Sequence, residues 1–172
     1  MINRLSEGFG RLSFALMLLG CAFLLALLLV ICGDVFTRNV FGTGLKWGNE
    51  VSEYLLYLMT LCAAPWLLRR GQHIRVDILL RALPGQLAWL LEWVVDLIGV
   101  ASSLVLVYYG GATVMDAVRN HATTMKTLVM PEWWLLWPFP AVFLMLAIEF
   151  AFRMARLVDA PRAPRDEAVS AA

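Results

Sequence analysis

The chain has 172 residues, room for one domain and little more. Hydrophobic residues make up 61% and charged residues 16%, against roughly 45–50% and about 25% in an average soluble protein. So few charges cannot cover a water-facing surface of this size, which excludes a disordered or collagen-like chain and argues against a soluble enzyme; the net charge of +1 exerts no overall pull toward nucleic acid.

Residues 12–33 carry no charge, 22 positions in all, against the roughly 20 that a helix needs to cross a bilayer. Arg4 and Arg11 ahead of this run, and Leu18-Leu19-Gly20-Cys21 within it, are similar to a secretion or lipoprotein signal. The apolar run continues for twelve residues beyond Cys21 and exceeds the about 7–15 residues of a signal core, so it is expected to remain as a span. Asp34 and Arg38, an i,i+4 pair, extend the helical pattern to the turn signal Gly42-Thr43-Gly44.

The second run, residues 51–68, has Glu53 near its start. The third is uncharged over 97–115 and is preceded by the acid-bearing stretch 87–96. Residues 85–115 form either one long tilted helix or an interfacial helix followed by a span, because 31 residues extend about 46 Å against a hydrocarbon core of ~30 Å. Within it Trp89 and Trp93 share one face, as do Glu92 and Asp96. The fourth run, residues 133–152, holds only Glu149, with Arg153 one turn on as a helical partner. Pro138 and Pro140 break or kink its first turns. The expected fold is an all-α integral membrane protein with four transmembrane helices at about 12–33, 51–68, 95–115 and 133–152, in a membrane domain over 1–156 followed by a disordered cytoplasmic tail at 157–172.

Positive charge sets the orientation. Arg4, Arg11, Arg69, Arg70, Arg75, Arg81, Arg153, Arg156, Arg162 and Arg165 lie on one side, and Arg38, Lys46, Arg119 and Lys126 on the other. Ten against four places both termini in the cytoplasm.

Chemistry is expected at the ends of the spans. Glu53, Asp96 and Glu149 are all terminal, so no acid stands at a midplane to carry ions or protons. His73 and His121 fall on opposite sides and cannot hold one haem. His73 and Asp77 are two ligands at most for a metal, and Cys21, Cys32 and Cys62 follow no disulfide or zinc spacing. With no phosphate loop, nucleophile elbow or zinc-protease motif, neither enzyme activity nor a cofactor is expected. What remains is polar and aromatic: Trp47, Glu50, Glu53 and Tyr54 open the second span, and Arg70, His73 and Asp77 follow it. These are candidates for a partner interface; the plain alternative is an aromatic belt with topology-setting arginines that meet membrane phospholipid. Trp89, Trp93, Trp133, Trp134 and Trp137 read as lipid-interface residues.

Four pieces follow one another in order: Asp34-Val-Phe-x-Arg38-x-x-Phe41-Gly42, Trp47-x-x-Glu50-x-x-x-Tyr54, Arg70-x-Gly-x-His73-Ile74-x-Val76-Asp77 with Leu83-Pro84, and Pro131-x-Trp133 with Pro138 and Pro140. With this order, length and span number, residues 1–156 resemble the small membrane subunit (DctQ type) of tripartite ATP-independent periplasmic (TRAP) transporters. One departure is Phe139-Pro140-Ala141, where the family often has glycine after the proline turn. The resemblance implies no catalysis and two protein partners: a periplasmic binding protein that captures an organic acid, and a large multi-span subunit that moves it inward on the sodium gradient. The small subunit would be the scaffold, with residues 46–53 and 119–132 available to the binding protein. The alternatives are a stand-alone four-helix structural or assembly protein and a homodimeric exporter, which would want an acid in its first span.

Overall fold

The computed structural model describes residues 2–70, 85–124 and 128–159. Helix α1 (Ile2–Phe41) runs for 40 residues, about 60 Å at the α-helical rise. It continues past Asp34 to Phe41 and stops where Gly42 takes a φ of 70°, a left-handed conformation that glycine adopts at little cost. Helix α2 (Gly48–Arg69) returns antiparallel, with Pro65 buried inside it. Helix α3 (Gly85–Arg119) is continuous over 35 residues, about 52 Å, so residues 85–115 belong to one helix. A short helix α4 (Glu132–Leu136) leads into α5 (Pro138–Asp159). The break falls at Trp137 because Pro138 has no amide to donate and fits the first position of a new helix.

Four of these helices are long and apolar enough to cross a membrane. They are ordered in space as α1–α2–α5–α3, so α5 is inserted between the second and third helices of the sequence. The core sits at the α2–α5 contact, where Leu61 and Leu68 meet Val142 and Leu146, flanked by Tyr57, Phe139, Phe143 and Phe150. Small residues let the outer pairs close. A Cβ on Gly20 would stand 3.3 Å from the Met59 carbonyl oxygen, and one on Gly99 only 2.6 Å from the Phe150 ring. On α3 closely packed positions recur every seven residues: Asp96, Ser103 and Ala117 are buried, and Gly110 lies against Phe139 of α5. This is the spacing of a coiled-coil seam.

The faces left outside are apolar. Leu25 and Leu29 on α1 are 64% and 70% exposed, a composition suited to lipid and not to water. From Glu50 to Arg69 the chain advances 19 residues, about 28 Å, which matches the ~30 Å hydrocarbon core. Two polar layers thus bound the apolar slab: a basic end at Gly10, Arg69 and Arg153, and a loop end at Asp34, Glu50 and His121.

Candidate functional site

At the basic end, ionisable side chains from three helices are drawn together inside the bundle. Arg69 of α2 donates through Nη1 to Glu149 Oε2 of α5 at 3.4 Å. Arg153, one turn further along α5, points Nη2 at Asp96 Oδ1 of α3 at 3.2 Å and lies over the Phe150 ring. Asp96 and Glu149 have no exposed surface, and Glu92 and Arg153 are nearly as deep. Helix α1 joins through Ser13, also fully buried, whose hydroxyl donates to the Phe9 carbonyl, and through the edge-to-face contact of Phe9 with Phe152. Charges this deep persist only when paired, since each lone ion would cost several kcal/mol, by order of magnitude, to desolvate. Glu149 and Arg153, spaced as partners within one helix, therefore each reach a different neighbouring helix.

The loop end is built differently, from carboxylates that accept backbone amides. Asp34 pairs with Arg38 at 2.9 Å and accepts the Leu45 amide at 2.6 Å, which pins the link between α1 and α2. Glu50 Oε2 accepts the Leu128 amide at 2.9 Å, which ties the start of α2 to the segment before α4. That segment pairs back on itself: Thr124 N–H donates to Met130 O and Glu132 N–H to Ala122 O, around a Thr123–Pro131 bridge. Helix α3 ends in a Schellman motif, with Ala122 N–H on Ala117 O and His121 N–H on Val118 O. His121 occupies the left-handed position of that motif with φ 45°.

The sequence candidates distribute over both layers. Trp47 is the half-exposed N-cap of α2, Glu53 is exposed, and Tyr54 is half-buried. Arg70 stacks over Trp66 at 4.9 Å, while His73 and Asp77 lie outside the described residues. Trp89 and Trp93 pack 6.1 Å apart and line an apolar groove with Leu90, Val94 and Leu97. Trp133 and Trp134 meet edge to face, and Trp134 and Trp137 are exposed beside them. The buried ties Arg69–Glu149 and Arg153–Asp96 are the feature that sequence reading missed. Its available signal was that Asp96 and Glu149 stand at the same end of their spans, next to the arginines that close them.

Chemically, the arrangement ties helices to one another. Among the described residues no three histidine, cysteine or acidic side chains converge. Apart from Glu53, one turn inside the loop end, α1, α2, α3 and α5 carry no charged residue between the two polar layers, and the groove there, about 400 Å³, is lined by Tyr57, Leu106, Tyr109, Leu136 and Phe139 among others. No curated protein matches the chain. Residues 27–160, more than three quarters of the length, match the family described as tripartite ATP-independent periplasmic transporters, DctQ component. The protein is a multi-pass membrane protein of the DctQ family, the small membrane component of a transporter that also has a large membrane subunit and a periplasmic binding protein.

Proposed function

We propose that this chain is the fixed scaffold of its transporter, a rigid membrane body against which the large subunit moves an organic acid inward, coupled to sodium. The observation that carries this reading is the placement of charge. Every described charged side chain of the spans stands in, or within one turn of, one of two layers about 28 Å apart, and none lies near the middle. A path for ions or acids through the chain itself would need polar groups or unwound backbone near the middle. Instead the helices are tied at both ends, by Arg69–Glu149 and Arg153–Asp96 at one and by Asp34 and Glu50 at the other. Such a body resists deformation and presents apolar faces sideways.

In this reading the basic end is cytoplasmic, with both termini, and the protein sits in the bacterial inner membrane, as the distribution of arginines supports. The membrane unit covers 1–156 and the tail 157–172 follows it. Trp47, Glu50, Glu53 and Tyr54 contact partners on the periplasmic side, and Arg70, His73 and Asp77 on the cytoplasmic side. Trp89, Trp93, Trp133, Trp134 and Trp137 anchor the body at the phospholipid headgroups.

Affinity purification from native membranes in mild detergent tests the assignment. Near-stoichiometric recovery of a large multi-span protein is expected, and a pure homo-oligomer of this chain would refute it. Alanine at Trp47 and Glu53 should lower that recovery; full recovery would remove the two residues from the interface.

A further inference from the structure

The cluster at the basic end leaves a cavity that the ties between helices do not use. It lies between the first part of α1 and the end of α2, has a volume of about 420 Å³, and is lined by Gly10, Arg11, Phe14, Trp66 and Arg69. We propose that this notch binds the phosphate of an anionic phospholipid, with an acyl chain running along Phe14 and Trp66.

Three features specify that ligand. The first is charge. Two guanidinium groups line the notch with no carboxylate among the lining residues; Glu149 meets Arg69 from inside the bundle, where it is wholly buried. Arg70 adds a third guanidinium, held over the Trp66 ring. An arginine fork matches two phosphate oxygens at once.

The second feature is preorganisation. A Cβ on Gly10 would fall 2.7 Å from Arg69 Cζ, 2.8 Å from Nη2 and 3.1 Å from Nε. The absent side chain lets the guanidinium lie against α1, with Nη1 directed to Glu149 and the group forming part of the notch wall beside Gly10. The Glu149 tie fixes the side chain in advance, so less rotamer entropy is lost when an anion arrives.

The third feature is amphipathy and depth. Phe14 and Trp66 pack 5.1 Å apart one turn below the arginines, and the uncharged run begins at Leu12. The notch thus stands at the headgroup boundary, with cations above and an aromatic wall below. A basic pocket between helices at that level suits a phospholipid headgroup, and the wall would contribute nothing to holding a free phosphate ion.

The inference rests on the membrane-spanning reading and is independent of the scaffold role. The test uses the full chain, purified with its partners in mild detergent and exposed to phosphatidylglycerol or phosphatidylcholine, with bound lipid counted by native mass spectrometry. Wild type should retain phosphatidylglycerol in preference to phosphatidylcholine. Arg11→Gln, a change at an exposed position, should reduce phosphatidylglycerol retention about tenfold, the worth of one charge-assisted hydrogen bond. Arg119→Gln, at the opposite end, should leave it unchanged. Equal retention of both lipids, equal loss in the two variants, or full displacement by inorganic phosphate would each overturn the proposal. Recovery of the large subunit should be the same throughout, which separates this test from that of the proposed function.

Discussion

The two ends of the bundle solve one problem with different bonds. At the basic end, helices far apart in sequence are joined side chain to side chain: Arg69 to Glu149 and Asp96 to Arg153, with all but Arg69 buried. At the loop end, side chains grip backbone: Asp34 holds the Leu45 amide and Glu50 the Leu128 amide, while His121 closes a helix by its own conformation. The first device locks whole helices in register. The second orders the short links that join them. Damage at the basic end should therefore loosen the whole fold, whereas damage at the loop end should stay local.

The largest effect is expected at Asp96. Asp96→Ala leaves Arg153 buried beside a lost carboxylate and should destabilise the chain by about 3–5 kcal/mol, the range for breaking a buried ion pair. Thermal unfolding in detergent would show this as loss of a cooperative transition. Replacing both partners, Asp96→Leu with Arg153→Met, should recover most of it, because two apolar groups have no desolvation penalty. A double variant as unstable as the single one would show that the cluster holds the helices by more than this pair.

Glu149→Ala should cost less, about 2 kcal/mol, since Arg69 is partly exposed and keeps some water. Its effect should concentrate on the α1–α2 pair moving against α5, read as faster hydrogen exchange along α2 with α3 unchanged. Exchange that rises equally in α3 would mean that the two ties act as one unit.

These ties show where sequence reading stops. The four spans were legible because hydropathy reports transfer to lipid directly, and the ends of α1 and α4 were legible because Gly42 admits a left-handed turn and Pro138 has no amide to continue a helix. The order α1–α2–α5–α3 was not. Helices in lipid are apolar on every side, so α2 and α3 carry no amphipathic face to say which neighbour each one meets. Glu149 and Arg153 stand one turn apart on α5, and the insertion of that helix between α2 and α3 brings them to Arg69 and Asp96. Of the candidate residues, Glu50 was found for its position at the head of a span, yet its Leu128 contact spans 78 residues and left no local pattern.

Glu50→Ala tests the local character of the loop end. One charged acceptor lost from one amide should cost about 1–2 kcal/mol. Hydrogen exchange should accelerate at Leu128 and its neighbours while the α2–α5 core keeps its protection. Loss of protection throughout the core would erase the distinction between the two ends.

The smallest effect, and the sharpest test of that distinction, is at His121. Its φ of 45° places a residue with a Cβ where the Schellman motif favours glycine, a strain of about 1 kcal/mol. His121→Gly should remove the strain and raise the unfolding midpoint, although the unfolded glycine's greater freedom offsets part of the gain. His121→Ala keeps a Cβ and should change little. If alanine were instead clearly destabilising, the imidazole itself would be holding the loop, through the cavity it lines with Val118, Thr123 and Trp133. The loop end would then depend on side-chain packing as the basic end does, and the contrast between them would narrow to one of charge.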